Sequence, residues 1–157
     1  MKELHGHCLC GAIEYSVSDD FEYAGFCHCS ECRRFSGSAF SAIGGIPLAS
    51  FRVVKGEESI GHYVKSEDTI LGFCRVCGSS LYAQKPLRGK VHLRLGTLDE
   101  APSLKPHFHS HVSSKVAWHQ IGDELPQFPA SRSAVATTAL SRAGKPQPAD
   151  STSANCK

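Results

Sequence analysis

The sequence predicts an all-β domain: several short antiparallel strands joined by turns, with one short helix. Three observations predict it. Apolar residues recur at every second position in several stretches, the spacing of a strand with one buried face. Gly, Pro, Asp and Ser separate these stretches, as tight turns require. Seven of the eight cysteines stand in three tight clusters at turns: C-L-C-G (Cys8, Cys10), C-H-C-S-E-C (Cys27, Cys29, Cys32) and C-R-V-C-G (Cys74, Cys77).

In chain order, Ala12 to Val17 alternates and places Ile13, Tyr15 and Val17 on one face. The segment Ser30 to about Phe35, directly after the second cysteine cluster, is the candidate helix, with Ser30 as its N-cap. Short apolar runs follow at Phe40 to Ile43, Phe51 to Val54, Ile60 to Val64 and Ile70 to Phe73. Lys90 to Leu95 alternates cleanly, with Val91, Leu93 and Leu95 inward. No internal repeat of solenoid type is present.

At 157 residues the chain fits one domain. From residue 130 onward it is rich in Ser, Ala, Thr and Pro and has no aromatic residue, so it cannot bury enough surface to offset its ordering entropy. The expected organisation is a zinc-binding domain over residues 1–129 and a disordered tail over 130–157. The tail carries a charge balance of +3 and the rest of the chain −1, which does not make the basic face that specific nucleic-acid binding needs. No stretch is apolar for long enough to span a bilayer. The start, M-K-E-L-H-G-H-C, has no apolar signal region, so a cytoplasmic, reducing location is expected.

In such a location, repeated short cysteine spacings read as metal-binding. Disulfides fit poorly: seven clustered cysteines cannot all pair, and Cys8–Cys10 and Cys27–Cys29 are too close in sequence to bridge well. Cys156 stands alone and reads as a free thiol. Seven thiolates divide into four and three, one closed zinc site and one with an open position, so two zinc ions are expected. Gly11 and Gly78 follow the first and third clusters, where a positive φ lets backbone N–H groups point at sulfur, whereas Arg33 follows the second. That asymmetry groups Cys8, Cys10, Cys74 and Cys77, leaving Cys27, Cys29 and Cys32. A rival grouping joins Cys29 and Cys32 to Cys74 and Cys77 as a zinc ribbon. Three thiolates on Zn²⁺ leave a charge of −1. Such a site activates water less well than a histidine site and suits capture of a fourth thiolate, from a small thiol. Closure by His28 or another histidine would instead make it structural; His28 lies between two ligands, where its ring should point away.

These motifs resemble the glutathione-dependent formaldehyde-activating enzymes and their centromere-protein-V-like relatives (the CENP-V/GFA domain). The resemblance runs from Gly6 to about Phe128, through G-H-C-L-C-G-A-I-E-Y, C-H-C-S-E-C-R-R-F-S-G-S-A-F, F-R-V-V-K-G, G-F-C-R-V-C-G-S-S-L, L-G-T-L-D and W-H-Q-I-G-D-E-L-P-Q-F. It implies a fold of several small sheets, sometimes called a β-tent. It also implies structural zinc on Cys8, Cys10, Cys74 and Cys77 and active-site zinc on Cys27, Cys29 and Cys32. The implied activity is a carbon–sulfur lyase reaction joining glutathione and formaldehyde as S-hydroxymethylglutathione. Glutathione carries two carboxylates, so Arg33 and Arg34, directly after Cys32, are candidate contacts; an exposed charge pair is their plainer reading. Ser36, Gly37 and Ser38 suit a pocket lining or a turn. Trp118 suits a pocket wall or the core. His107, His109 and His111 read as a solvent-facing strand edge. His62, His92 and His119 read as packing or surface residues. The alternative to an enzyme is a zinc-stabilised binding module, or a related lyase acting on another thiol.

Overall fold

The computed structural model describes residues 2–132. The expected disordered tail lies outside the described residues from residue 133 onward.

The chain is all-β with one short helix. β1 (Glu3–His7), β2 (Glu14–Ser18) and β5 (Phe51–Lys55) form an antiparallel sheet in the order β1-β2-β5. The second sheet has seven strands. These are β3 (Tyr23–Cys27), β4 (Ser41–Pro47), β6 (Ile60–Ser66), β7 (Thr69–Cys74), β8 (Ser80–Lys85), β9 (Lys90–Arg94) and β10 (His109–Ser110), in the order β10-β3-β4-β9-β8-β7-β6. Its neighbours pair antiparallel, apart from the short parallel contact of β10 with β3.

The alternating faces foreseen in the sequence meet between the sheets. Ile13, Tyr15 and Val17 are each 1% exposed and join Leu4, Ile46, Leu81, Val91 and Leu93 in one core. Each such side chain contributes roughly 1.5–3 kcal/mol of burial. Cys8 and Cys74 belong to the same cluster, so one cysteine group is anchored in the core.

Two strands that the alternation did not reveal contain a glycine under close contact. A Cβ on Gly6 of β1 would lie 2.3 Å from the Tyr15 hydroxyl, and one on Gly25 of β3 would lie 2.6 Å from the Phe108 ring. Another segment covers each strand at the glycine, where a side chain would otherwise mark the pattern.

The helix α1 spans Ser30–Ser36 and ends at Gly37, which has φ 63°. Its N-cap is Cys29 rather than Ser30: the Cys32 backbone N–H donates to Cys29 Sγ at 3.3 Å. A cysteine sulfur therefore does the work that the sequence assigned to a hydroxyl. After β9 the chain is mostly irregular and folds back over β3. Phe128 and His109 exchange with this layer through Phe128 N–H to His109 O at 2.8 Å and His109 N–H to Pro126 O at 2.8 Å. His111 N–H reaches Ala130 O at 3.1 Å, and the Arg132 guanidinium lies 5.4 Å from the Phe108 ring centre.

Candidate metal centres and the adjoining cleft

The first centre joins a turn near the start of the chain to one near the middle of the domain. Cys8 and Cys10 leave β1, and Cys74 and Cys77 leave β7, with all four sulfurs within 4.8 Å of one another. The sulfurs of Cys8 and Cys10 are 3.5 Å apart, and those of Cys10 and Cys74 are 3.8 Å apart. A tetrahedral zinc with bonds of about 2.3 Å has sulfur–sulfur edges of about 3.8 Å, so the cage has the size zinc requires. Gly11 (φ 71°) and Gly78 (φ 78°) adopt the left-handed conformation foreseen for both turns. Their N–H groups bond Cys8 O and Cys74 O at 2.9 Å, while Ile13 N–H donates to Cys8 Sγ at 3.3 Å. Ser79 links the two turns: its hydroxyl accepts from Leu9 N–H at 2.9 Å and lies 3.2 Å from Cys77 Sγ. Hydrogen bonding from that hydroxyl and from the Ser79 backbone lowers the Cys77 thiol to about 5, which favours the metal-binding thiolate.

The second centre lies where β3 passes into α1. Cys27 ends the strand, Cys29 caps the helix and Cys32 occupies its first turn, with the three sulfurs within 4.8 Å. Hydrogen bonds from Cys27 and Cys32 hold Cys29 far below the ordinary thiol range, and the same crowding by Cys27 and Cys29 pushes Cys32 far above it. One negative charge suppresses the next; a divalent cation removes that conflict. All seven cysteines of the two centres are free thiols, and their donor chemistry fits zinc. The rival ribbon grouping does not occur, since Cys29 and Cys32 stand with Cys27 and apart from Cys74 and Cys77.

No histidine completes the second group among the described residues. His111 approaches Cys27 Sγ at 3.6 Å through Nδ1 but is outside the set of mutually close ligand atoms. His28, fully buried, turns away as expected and bonds His109 Nδ1 through Nε2 at 2.9 Å. His109 in turn reaches the Asp123 carboxylate through Nε2 at 3.0 and 3.1 Å. The acceptor-only carboxylate sets the tautomers: His109 donates from Nε2 and accepts at Nδ1, and His28 donates from Nε2. Burial lowers His28 to about 4, so the ring is neutral. This corrects the solvent-facing reading of residues 107, 109 and 111. His109 is 3% exposed because the segment ending at Phe128 covers it, and His111 has left the strand with φ 57°.

Beside Cys32 the seven-stranded sheet and α1 enclose a cleft of about 80 Å³. Phe35, Ile43, Leu71 and Ala83 supply its apolar walls, and Arg94, Lys85, Lys65, His92, Thr69 and Glu31 its polar ones. Arg94 is 7% exposed. Its guanidinium stacks on Phe35 at 5.0 Å, and its Nε donates to Ser80 Oγ at 3.3 Å. Burial lowers its pKa, opposed by the nearby Cys32 and Cys27 sulfurs. Lys85 Nζ donates to Thr69 Oγ1 at 2.6 Å, whereas Lys65 is paired with Glu31 at 2.5 Å. His92 bonds the Tyr23 hydroxyl at 2.6 Å, and burial lowers it to about 4.

Arg33 and Arg34 are not among the residues lining this cleft. Arg33 Nε donates to His28 O at 3.3 Å, and Arg34 is exposed. Ser36 Oγ bonds Arg33 O and Phe40 O, as a turn residue does. Trp118 is 74% exposed and so belongs neither to the core nor to this cleft. His119 stacks on His28 with ring centres 5.9 Å apart.

Comparison with known proteins places this geometry. The family model for glutathione-dependent formaldehyde-activating enzyme matches residues 3–114. The chain belongs to that family. It is 28% identical over 116 residues to a putative glutathione-dependent formaldehyde-activating enzyme of Colletotrichum graminicola, covering 71% of this chain and 60% of that protein. An uncharacterized lyase of Schizosaccharomyces pombe is 34% identical over 82 residues, covering 52% of this chain and 58% of the relative. A putative glutathione-dependent formaldehyde-activating enzyme of Halomonas elongata is 29% identical over 126 residues, covering 75% and 80%. The chain thus spans about three fifths of the first two relatives. A crystal structure of a Rhodobacter sphaeroides protein superposes with TM-score 0.54 at 26% identity, covering 64% of this chain and 97% of that one.

Members of the family are named as enzymes, and two cysteine centres compatible with zinc are present. Among the described residues no helix is long and apolar enough to cross a membrane. Sequence reasoning missed Arg94 and Lys85. Positions 92 and 94 alternate with Val91 and Leu93, so they face the opposite side of β9. The sequence reads His92 as a packing or surface residue and singles out neither cation, but α1 covers that side of β9 and makes it the cleft.

Proposed function

We propose that the chain is a zinc-dependent carbon–sulfur lyase-class enzyme that joins a thiol, glutathione in the first instance, to formaldehyde as the S-hydroxymethyl adduct. The observation that carries this reading is a group of three cysteine sulfurs with no fourth protein ligand among the described residues, bordering a cleft at Cys32. Zinc held by Cys27, Cys29 and Cys32 supplies, when bound, one position suited to a soft thiolate. The second zinc, held by Cys8, Cys10, Cys74 and Cys77, is structural and ties β1 to β7.

The residues around the second centre do the rest. The β3–α1 turn holds the three sulfurs, and the His28–His109–Asp123 chain fixes that turn from behind. The buried Arg94 guanidinium favours the deprotonated thiol. The thiolate lone pair then forms the new C–S bond to the aldehyde carbon, the carbonyl π pair moves to oxygen, and that oxygen takes a proton equivalent to the one the thiol lost. Arg34, exposed on α1, is open to a distal carboxylate of the thiol, while Arg33 is engaged with the His28 carbonyl.

The test is adduct formation from glutathione and formaldehyde by the zinc-loaded full chain, measured against the spontaneous reaction. The expected result is a rate above background that Cys29→Ser abolishes. A rate equal to background, with zinc bound at both centres, would overturn the catalytic reading.

A further inference from the structure

We propose that the cleft beside Cys32 is a carboxylate subsite anchored by Arg94 and Lys85, so that one reactant carries a carboxylate arm that enters it. The proposal rests on the reading of Cys27, Cys29 and Cys32 as a thiol-capturing centre, and narrows the substrate class.

Three observations carry it. First, the cleft holds two cations that no carboxylate pairs, since Glu31, the acid in its lining, is bonded to Lys65. Among the described residues, Arg94 and Lys85 have no carboxylate within ion-pair distance, whereas Lys65 in the same cleft is paired with Glu31. A buried guanidinium is costly unless something of opposite charge faces it. The zinc-loaded cysteine centre, at −1, offsets at most one of the two. Second, the two cations line one cleft. Compensating a neighbouring thiolate needs charge but no space; about 80 Å³ between an arginine and a lysine invites a group to enter. Arg94 carries the planar fork that matches a carboxylate, and the Phe35 ring lies against it with its centre 5.0 Å from the guanidinium carbon. Third, the size is selective. The cleft has room for a few heavy atoms, far less than the roughly 300 Å³ or more of a site that engulfs a larger ligand. It takes a carboxylate arm and leaves the remainder of a tripeptide outside. Because Cys32 is part of its wall, that arm reaches the metal centre directly.

The carboxylate has two possible sources, the thiol or an oxo acid serving as the aldehyde. Both present the same group to Arg94 and Lys85, and the experiment separates them.

Full-length protein is loaded with Co²⁺ in place of zinc, and thiol ligation is followed by the sulfur-to-cobalt absorption. Glutathione and mercaptoacetate are titrated against their methyl esters. If the thiol carries the carboxylate, the acids bind about tenfold or more tighter than the esters, the scale of one charge-assisted contact. In parallel, glyoxylate is titrated into the zinc-loaded chain and followed by the side-chain NMR signals of Arg94; saturable binding identifies an oxo acid as the source. Either preference should fall to about twofold or less in Lys85→Met, with metal content and circular dichroism unchanged. Lys85→Met carries the test because Arg94 is buried; Arg94→Lys, which keeps the charge and loses the fork, should give an intermediate preference. If thiols ligate cobalt regardless of charge and glyoxylate does not bind, the subsite is overturned while the thiol-capturing centre stands. If no thiol perturbs cobalt but glyoxylate binds through Lys85, the subsite stands and the thiol reading falls. If neither binds, both fall.

Discussion

His109→Leu isolates what the buried histidine chain contributes. The substitution roughly conserves volume, so little cavity cost enters. It removes the 2.9 Å bond to His28 and the 3.0 and 3.1 Å contacts to Asp123. Asp123, with its side chain 47% exposed, regains water at small cost. His28 cannot. It is fully buried, its Nδ1 already has no partner in the structure, and Nε2 would lose the one it has. Leaving a buried polar group unsatisfied costs about 1–3 kcal/mol. Adding the lost charge-assisted bond to Asp123 brings the expected loss to about 2–3 kcal/mol, on the order of 10 °C in Tm for a domain of this size. The assay is urea unfolding of the zinc-loaded chain at fixed free zinc, with bound metal counted before unfolding. The double variant His28→Leu, His109→Leu removes the stranded ring as well. It should be more stable than the sum of the single losses by about 1 kcal/mol or more. A loss below about 0.5 kcal/mol for His109→Leu, or strict additivity in the double variant, would refute the reasoning.

Other consequences are simpler to measure. Cys77→Ser should impair folding because it opens the centre anchored in the core through Cys8 and Cys74, whereas Cys32→Ser should lose one zinc and keep most of the fold; equal unfolding by both would contradict the division of roles, with circular dichroism and metal analysis as readouts. His92 is lowered to about 4 by burial and by the charges of Lys85 and Arg94, so the unfolded chain takes up its proton near pH 6.5 while the folded one resists it. Its contribution is therefore complete above about pH 6.5 and declines toward about pH 4, and His92→Gln should show a shallower fall in Tm between pH 7 and pH 5; parallel curves would refute this. A chain ending at Arg132 should keep both zinc ions and its Tm, whereas one ending at Leu125 should melt lower because it lacks Phe128, whose N–H bonds His109 O; a large drop in the first would show that later residues stabilise the domain.

Much of the fold was legible because alternation reports a face buried against a neighbour. β2 and β9 show it, with Ile13, Tyr15, Val17, Val91 and Leu93 all in the core. β1 and β3 were not legible, since Gly6 and Gly25 stand where contact from Tyr15 and Phe108 replaces a side chain. Both cysteine groups were readable because thiolate spacing at glycine turns is a local property. The cleft was not. The outward positions of β9 look solvent-facing until α1 is placed over them, and Arg94 becomes buried through that tertiary contact with Phe35. His109 misled for the same reason. Nothing near it in sequence announces that Asp123, fourteen residues on, returns to bond it.

The central claim is that the second centre captures a thiol. X-ray absorption of the chain loaded with two zinc ions tests it most directly. Seven cysteine sulfurs over two metals give an average of 3.5 sulfurs per zinc. Saturating glutathione should raise that average to 4, and S-methylglutathione should leave it at 3.5. An average unchanged by glutathione, with both metals still bound, would contradict the account.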